Sequence, residues 1–247
     1  MCSIIGAEGF DILKEEFVEA FFKTKTRGPD MTRLLDTPAG RLGFHRLAIM
    51  DVNESGMQPF ALGGNYVVCN GEIYGFRNLK NTLSSKYEFK GNSDCEIILP
   101  LYAEYGLDMF KMLDAEFAMI LYDSKRNSFI AARDPIGIRP LYYGKSKSGG
   151  MVFASEPKNL VGLCGEILPF PPGCYWADGK FTRYCGIAAR RAPVPDERQG
   201  GGDDAGRAAG ALAQVVQTRH QHGLAEFFVG KHTQLQPVGV VQRQRVQ

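Results

Sequence analysis

The chain has 247 residues, of which 44% are hydrophobic and 23% charged, and its net charge is +2. This composition is typical of a globular protein and lacks the excess of positive charge that favours nucleic-acid or membrane-surface binding. The longest strongly apolar stretch, residues 117–122, is far shorter than the ~20 residues that a membrane-spanning helix needs. The first residues, MCSIIGAEGFD, lack the pattern of a secretory signal. Six cysteines without a CxxC pair give no reason to expect a metal site, and we expect a cytoplasmic protein with reduced thiols.

Apolar periodicity in residues 1–185 predicts an alternation of strands and helices. The predicted strands are Ser3–Ile5, Leu42–Met50, Tyr66–Cys69, Phe117–Asp123, Ser128–Arg133, Leu141–Tyr143 and Met151–Ala154. The predicted helices are Asp11–Thr24 with Asp11 as N-cap, Glu72–Leu83 after a strand break at Gly71, and Ser93–Tyr105 with Ser93 and Glu96 as a capping box. Because the later strands follow one another closely, we expect hairpins and an α+β fold with antiparallel sheets.

The composition changes near residue 186. Residues 186–247 hold nine of the ten glutamines and no Ser, Asn, Tyr, Met or Cys. Two interpretations compete: a polar extension with too few large apolar groups to fold, or a segment translated from another reading frame, which we favour. A short amphipathic helix over residues 212–228 is compatible with both, and we assign this tail no function.

Cys2 is the first candidate for chemistry. Removal of Met1 would place the thiol and the free α-amine on one residue, and an α-amine has a pKa of roughly 7.7–8.0. One residue would then supply both a nucleophile and its base, without a histidine partner. Position alone does not distinguish this role from that of a small residue near a terminus.

Several segments resemble those of a known family, and this resemblance distinguishes the two roles of Cys2. They are MCSIIG at the start, RGPD at 27–30, GFHRLAIMD at 43–51, NGEIY at 70–74, GNSDCE at 91–96, ARDPIGIRPLYY at 132–143, FASE at 153–156 and FPPG at 170–173. In this order they resemble the glutamine amidotransferase domain of asparagine synthetase, a class II amidotransferase of the N-terminal-nucleophile type. The resemblance covers residues 1 to about 184 and implies a four-layer αββα sandwich of two antiparallel sheets.

The resemblance also implies a reaction and its residues. The thiol of Cys2 attacks the side-chain amide of glutamine, which releases ammonia and leaves a thioester that water hydrolyses to glutamate. Asn70 and Gly71 form the oxyanion hole, which needs preorganised donors. Arg46 binds the substrate carboxylate and Asp94 its ammonium group. The remaining implied contacts are backbone groups of Ile49 and Met50, and Glu72 beside Asp94.

Other interpretations of these residues and of the whole chain are also compatible with the sequence. Arg46 and Asp94 also fit surface ion pairs, and Glu72 fits a cap on the helix that follows it. A sibling family, such as amidophosphoribosyltransferase or glucosamine-phosphate synthase, shares the N-terminal cysteine but differs after the NG pair. An inactive remnant that only binds a partner is the third alternative.

Two departures from the family pattern stand out. Thr26 occupies the position where the family has histidine before RGPD. The Ser-Gly-Gly-x-Asp-Ser loop of the synthetase domain does not occur, because the glycine run at 200–204 lacks its serines. We therefore expect a glutaminase half that needs no cofactor, while ATP and magnesium would belong to a missing synthetase domain. The expected partners are glutamine and a separate synthetase domain or a second copy.

Overall fold

The computed structural model describes residues 1–186, in which two six-stranded antiparallel sheets pack face to face. The strands are β1 (Ser3–Glu8), β2 (Met31–Thr37), β3 (Gly40–Arg46), β4 (Phe60–Leu62), β5 (Asn65–Ile73), β6 (Ala115–Asp123), β7 (Ser128–Arg133), β8 (Tyr142–Lys145), β9 (Met151–Ala154), β10 (Ile167–Pro169), β11 (Cys174–Ala177) and β12 (Lys180–Arg183). The helices are α1 (Lys14–Phe22), α2 (Phe76–Leu83) and α3 (Ile98–Tyr105). The first sheet has the order β10-β8-β9-β1-β3-β2 and the second the order β12-β11-β7-β6-β5-β4.

Three buried clusters show how the layers stack. The middle cluster lies between the two sheets and includes Ile4, Phe44 and Val68. A second cluster packs α1 on the outer face of the first sheet, and a third packs α2 and α3 on the outer face of the second sheet. The arrangement is therefore the predicted αββα sandwich, with one apolar interface for each pair of neighbouring layers.

Strand β6 explains why the sequence reads as a continuous apolar run at this point. Phe117, Met119 and Leu121 belong to the outer cluster under the helices, whereas Ala118 and Ile120 belong to the cluster between the sheets. A strand covered on both faces needs apolar residues at every position. The prediction of a buried strand here is confirmed, and β6 begins two residues earlier than predicted.

Strand boundaries in the first half of the chain differ from the prediction. Strand β3 ends at Arg46 instead of Met50. The predicted strand break at Gly71 is wrong, because β5 continues through Gly71 to Ile73. Glu72 consequently lies in a strand, and the alternative in which it caps a helix is also wrong. Helix α2 begins later, at Phe76, after Gly75 in the left-handed region at φ 66°.

Both predicted helix caps are wrong. Helix α1 begins at Lys14, and its Glu16 carboxylate accepts from the Leu13 backbone N–H at 3.1 Å. The Asp11 carboxylate instead accepts from the Ser148 backbone N–H at 3.3 Å. Ser93 makes no capping hydrogen bond, and a 3-10 turn over Asp94–Ile97 precedes α3.

The predicted change at residue 186 and the tail 186–247 lie outside the described residues, apart from Gly186, and stay predictions. Among the described helices, none has the length and apolar character to cross a membrane.

Candidate active site

Three predicted site residues lie at one end of the sandwich, between the two sheets. Alternate residues of a strand share a face, and Ile4, Phe44 and Val68 all point into the cluster between the sheets. Two residues further toward the same end come Cys2 before β1, Arg46 at the end of β3, and Asn70 in β5. Strands β1 and β3 are paired, and β1 contacts β5 across the sandwich. The fold therefore brings these three residues to the same end of the sandwich.

The thiol of Cys2 is held by the backbone that follows β3. The Leu47 backbone N–H donates to Sγ of Cys2 at 3.4 Å, and the Leu47 carbonyl oxygen lies 3.7 Å from the same sulfur. Burial raises the pKa of the Cys2 thiol, while the Leu47 hydrogen bond and the charge of Arg46 act in the opposite direction. The sulfur is thus fixed in place in a setting that favours the protonated thiol and gives a nearby base a role.

An ion pair that the sequence analysis did not assign supports the backbone of Cys2. Nε of Arg27 donates to the Cys2 carbonyl oxygen at 3.2 Å, and Nη1 of Arg27 bonds Glu156 at 2.8 Å. Arg27 belongs to the RGPD segment and Glu156 to the FASE segment. The quoted segments therefore contained both residues, but nothing in the sequence indicated that they meet.

Arg46 is buried and is surrounded by backbone carbonyl groups. Its guanidinium donates to the carbonyl oxygens of Asn53 at 2.7 Å, of Met50 at 3.1 Å and of Asp51. These carbonyls belong to the loop that follows β3, residues 47–56, which we name the Arg46 loop. The loop wraps around the cation, so that Ile49 is 74% exposed and the Met50 side chain also faces outward.

Asn70 carries a buried hydrogen-bond donor without a partner. Its Nδ2 atom has no hydrogen-bond acceptor within the described part of the chain, although the residue is only 3% exposed. Buried donors are nearly always paired, and an unpaired one needs an explanation. A ligand atom that binds at this end of the sandwich would provide the missing acceptor.

The backbone N–H of Gly71 is also free to act as a donor. Gly71 stands opposite Phe117 in the register of β5 and β6. Phe117 uses both its N–H and its carbonyl oxygen on Asp134, at 3.3 and 2.9 Å, which lies on the far side of β6. Because hydrogen bonds along an antiparallel strand alternate in direction, Gly71 and Phe117 form a non-hydrogen-bonded pair. The N–H of Gly71 therefore points away from β6.

On the side of β5 that faces away from β6, no hydrogen-bond partner among the residues that the structure describes lies beside Gly71. The positions two residues before and two residues after Gly71 do have partners on that side. At Cys69, the side-chain amide of Gln58 bonds both the backbone N–H, at 2.6 Å, and the carbonyl oxygen, at 3.1 Å. At Ile73, the backbone N–H donates to Asp94 at 2.7 Å. Between these two positions, β4 no longer pairs with β5, and Gly71 donates no hydrogen bond to any described residue.

The packing of β6 against β5 requires glycine at position 71. A Cβ atom there would lie 2.5 Å from the carbonyl oxygen of Glu116 and 2.7 Å from Cβ of Phe117. The structure shows that β6, on the opposite side, leaves no room for a side chain.

Asp94 and Glu72 lie beyond Gly71 and differ in exposure. Asp94 is buried and anchored by its bond to the Ile73 N–H, whereas Glu72 is exposed at the rim. Neither Asp94 nor Arg46 forms an ion pair with any of residues 1–186, so the alternative of surface ion-pair residues is wrong for both.

Comparison with known proteins identifies the protein family. A family model for the glutamine amidotransferase domain matches residues 1–168. The chain belongs to this family. Among curated relatives of this amidotransferase domain, a probable glutamine-hydrolysing asparagine synthetase of Dictyostelium discoideum is 39% identical over 194 residues, which are 74% of this chain and 35% of the relative. Asparagine synthetase B of Escherichia coli is 38% identical, with 74% and 34% covered. The chain thus spans about a third of the length of these relatives.

A solved structure shares the fold of this amidotransferase domain. Glutamine phosphoribosylpyrophosphate amidotransferase from B. subtilis superimposes with a TM-score of 0.62 at 20% identity, over 74% of this chain and 49% of that chain. At this identity the likeness shows the fold alone, which is the four-layer αββα sandwich predicted from the sequence.

Proposed function

We propose that this amidotransferase domain hydrolyses glutamine to glutamate and ammonia, with Cys2 as the nucleophile. The observation that carries this assignment is the pair of unused donors, Nδ2 of Asn70 and the N–H of Gly71, at the end of the sandwich that also holds the Cys2 thiol. An amide carbonyl that is attacked by a thiol develops a negative oxygen. Two preorganised donors in a buried site are suited to stabilise it.

The proton transfers require Met1 to be absent. Once Cys2 is the first residue, its α-amine accepts the thiol proton as Sγ attacks the side-chain carbonyl carbon of glutamine. The resulting ammonium returns the proton to the leaving nitrogen, and the C–N bond breaks to give ammonia and a thioester. The amine then activates a water molecule, which displaces Sγ and releases glutamate. Glutamine and water alone balance this reaction, so we propose no cofactor for it.

Arg46 and Asp94 supply opposite charges for a free amino acid. We propose that Arg46 binds the α-carboxylate, a role for which a planar guanidinium with several donors is suited. Its carbonyl ligands in the Arg46 loop must then yield part of their hydrogen bonds, so the backbone at Ile49 and Met50 adjusts around the substrate. Asp94, with Glu72 at the rim, receives the α-ammonium group. This arrangement favours glutamine over a peptide-bound amide, which lacks both charges.

The longer relatives suggest where the ammonia goes. We propose that the domain serves asparagine synthesis together with a separate synthetase part, to which ATP and magnesium would belong. Apolar side chains surround this end of the sandwich: Ile49, Val52, Ile136 and Ile138 are 74, 67, 65 and 52% exposed. Such a surface is suited to a protein partner, either that synthetase part or a second copy. A cytoplasmic location agrees with six free cysteines.

A glutamine analogue with a reactive diazoketone, 6-diazo-5-oxo-L-norleucine, tests the assignment. We expect it to label Cys2 alone among the six cysteines and to abolish glutamate formation, and excess glutamine should protect. Labelling elsewhere, or turnover retained by Cys2→Ala, would remove Cys2 from the mechanism. The purified chain should form no asparagine from aspartate, ATP and glutamine, and asparagine formation would contradict the proposed division of labour.

A further inference from the structure

A cleft opens between the two sheets, away from Cys2. Its volume is about 650 Å³, within the range of small-molecule sites, and its walls come from β8 and β10 of one sheet and β11 and β12 of the other. The register places it: Lys145 pairs with Met151 at the tip of the β8–β9 hairpin, and Val152 pairs with Ala7 near the end of β1. Cys2 precedes the other end of β1, which is roughly 20 Å away at the rise of a strand.

The inner wall of this cleft is aromatic. The ring of Phe181 lies between two others, with centroids 4.9 Å from that of Tyr143 and 5.0 Å from that of Trp176. All three rings are only half-buried, so part of each remains open to the cleft. Tilted rings that surround a cavity are suited to a flat apolar group, which gains both burial and favourable edge contacts.

The mouth of the cleft carries an excess of positive charge. Lys145 and Lys147 line it and are exposed, and neither forms an ion pair with a carboxylate of residues 1–186. Glu166 is the one acidic residue among those that line the cleft within this part of the chain. Two ammonium groups against one carboxylate favour an anion at the entrance.

We propose that this cleft binds a small organic anion with a planar aromatic body, at a site separate from the glutamine site. The aromatic wall takes the flat body and the two lysines take the anionic group. Charge complementarity and the small-molecule volume favour this ligand class over a protein segment, which would leave the exposed lysines without a role. Nothing in this site depends on Cys2, so binding and glutamine hydrolysis are separable.

The protein contains one tryptophan, Trp176, which makes the cleft directly observable. We would titrate the full chain with 8-anilinonaphthalene-1-sulfonate and measure energy transfer from Trp176 to the probe. The expected result is saturable binding of one probe molecule per chain, both in the original protein and in Cys2→Ala. N-phenyl-1-naphthylamine, which has the same rings without the sulfonate, should bind more weakly.

Matched variants test the two halves of the site. Lys145→Ala combined with Lys147→Ala should weaken binding of the sulfonate about tenfold through the loss of two charge contacts, and should leave the uncharged probe unaffected. Lys90→Ala, at another exposed lysine, should change neither value. Trp176→Phe should abolish the transfer signal while the probe still binds.

Three outcomes would overturn the proposal. They are the absence of saturable binding, equal affinity for the charged and uncharged probes, and sulfonate binding that is insensitive to the lysine pair. The first of these, combined with protection of Trp176 from iodide quenching in the absence of probe, would assign the cleft to another occupant, such as a second copy. Because Cys2→Ala is included, a failure here leaves the proposed glutaminase untouched, and a failed glutaminase assay leaves this site untouched.

Discussion

The backbone N–H of Leu47 donates to Sγ of Cys2 at 3.4 Å, and this contact joins the residue before β1 to the residue after β3. The two strands are neighbours, paired with Ser3 opposite His45, so the contact follows from the register of the sheet. The sulfur is held at the end of the sandwich where Asn70 and Arg46 also lie. Burial nevertheless keeps the thiol protonated, because it outweighs the hydrogen bond in its effect on the pKa.

Alkylation rates should report this raised pKa. In the fraction of protein that retains Met1, we expect iodoacetamide to modify Cys2 more slowly than N-acetylcysteine at pH 8, with a rate that still rises above pH 9. Mass spectrometry of the N-terminal peptide separates this fraction from the processed one. If the pH midpoint of Cys2 alkylation lies at or below that of N-acetylcysteine, burial does not control the pKa of the thiol.

Asn70→Ala tests the unused donor. Removal of one oxyanion donor typically lowers kcat by about 10²–10³-fold, and we expect a loss of that size with a smaller change in KM. Because Nδ2 of Asn70 has no partner among the described residues, the substitution breaks no hydrogen bond of that atom, and the free energy of unfolding should change little. Asn78→Ala, on the exposed surface of α2, is the matched control and should retain full activity. A kcat for Asn70→Ala that matches this control would exclude Asn70 from the oxyanion hole.

Arg46→Lys tests carboxylate binding while the positive charge is kept. Lysine offers a point charge in place of a planar fork, so we expect KM for glutamine to rise about 10- to 100-fold with a smaller effect on kcat. The variant should also be less stable, because the carbonyl groups of Asn53 and Asp51 lose donors. Arg126→Lys, at an exposed arginine between β6 and β7, should leave KM unchanged. An unchanged KM in Arg46→Lys would show that another residue binds the carboxylate.

His45 predicts a pH dependence of stability. Its ring is fully buried and stacks on Phe21 with centroids 3.6 Å apart, and burial lowers its pKa to about 4. Thr32 bonds Nδ1 at 2.8 Å, and Nε2 lies 3.2 Å from the Phe21 carbonyl oxygen, to which it donates as neutral imidazole. Between pH 6.5 and 4 the imidazole of His45 is therefore protonated in the unfolded chain and neutral in the folded chain. The stabilisation is complete above about pH 6.5 and declines by roughly 3 kcal/mol as the pH falls to 4.

Urea unfolding at a series of pH values measures this effect. Other acidic groups also titrate in the range, so the informative quantity is the difference between the original protein and His45→Gln. We expect the variant to be less stable at pH 7 and its stability to fall less steeply toward pH 4. If the free energy of unfolding depends on pH in the same way in both proteins, the result would contradict a neutral buried His45.

Much of the fold followed from hydrophobic patterns. Strands β7 and β9 were predicted with their observed bounds, because each is an apolar segment between clear turns. Strands β2 and β10 were missed, since both are short of buried residues and lie at sheet edges. Gly71 was misread as a strand end because a glycine inside a strand usually weakens it. The close approach of β6, which makes glycine necessary, was visible only after the strands were paired.

The site residues were predictable as a set through the family resemblance, but their surroundings were not. No pattern indicated that Gln58 bonds the backbone of Cys69 in place of a neighbouring strand, which leaves Gly71 at the edge of a gap. The carbonyl groups around Arg46 were equally hidden, because they belong to the backbone of the Arg46 loop and not to its side chains. The sequence identifies the side chains of the candidate site. The site also depends on backbone groups, and these are positioned by the pairing of strands that are far apart in the chain.

The central claim is that Cys2 acts as the N-terminal residue of a working glutaminase. Intact mass spectrometry of natively expressed protein, combined with a glutamate assay on the same sample, tests it most directly. We predict a mass that lacks Met1 together with glutamate formation from glutamine. Glutamate formation by a protein that is shown to retain Met1 throughout would contradict the proposed role of the α-amine, and a processed but inactive protein would contradict the proposed activity.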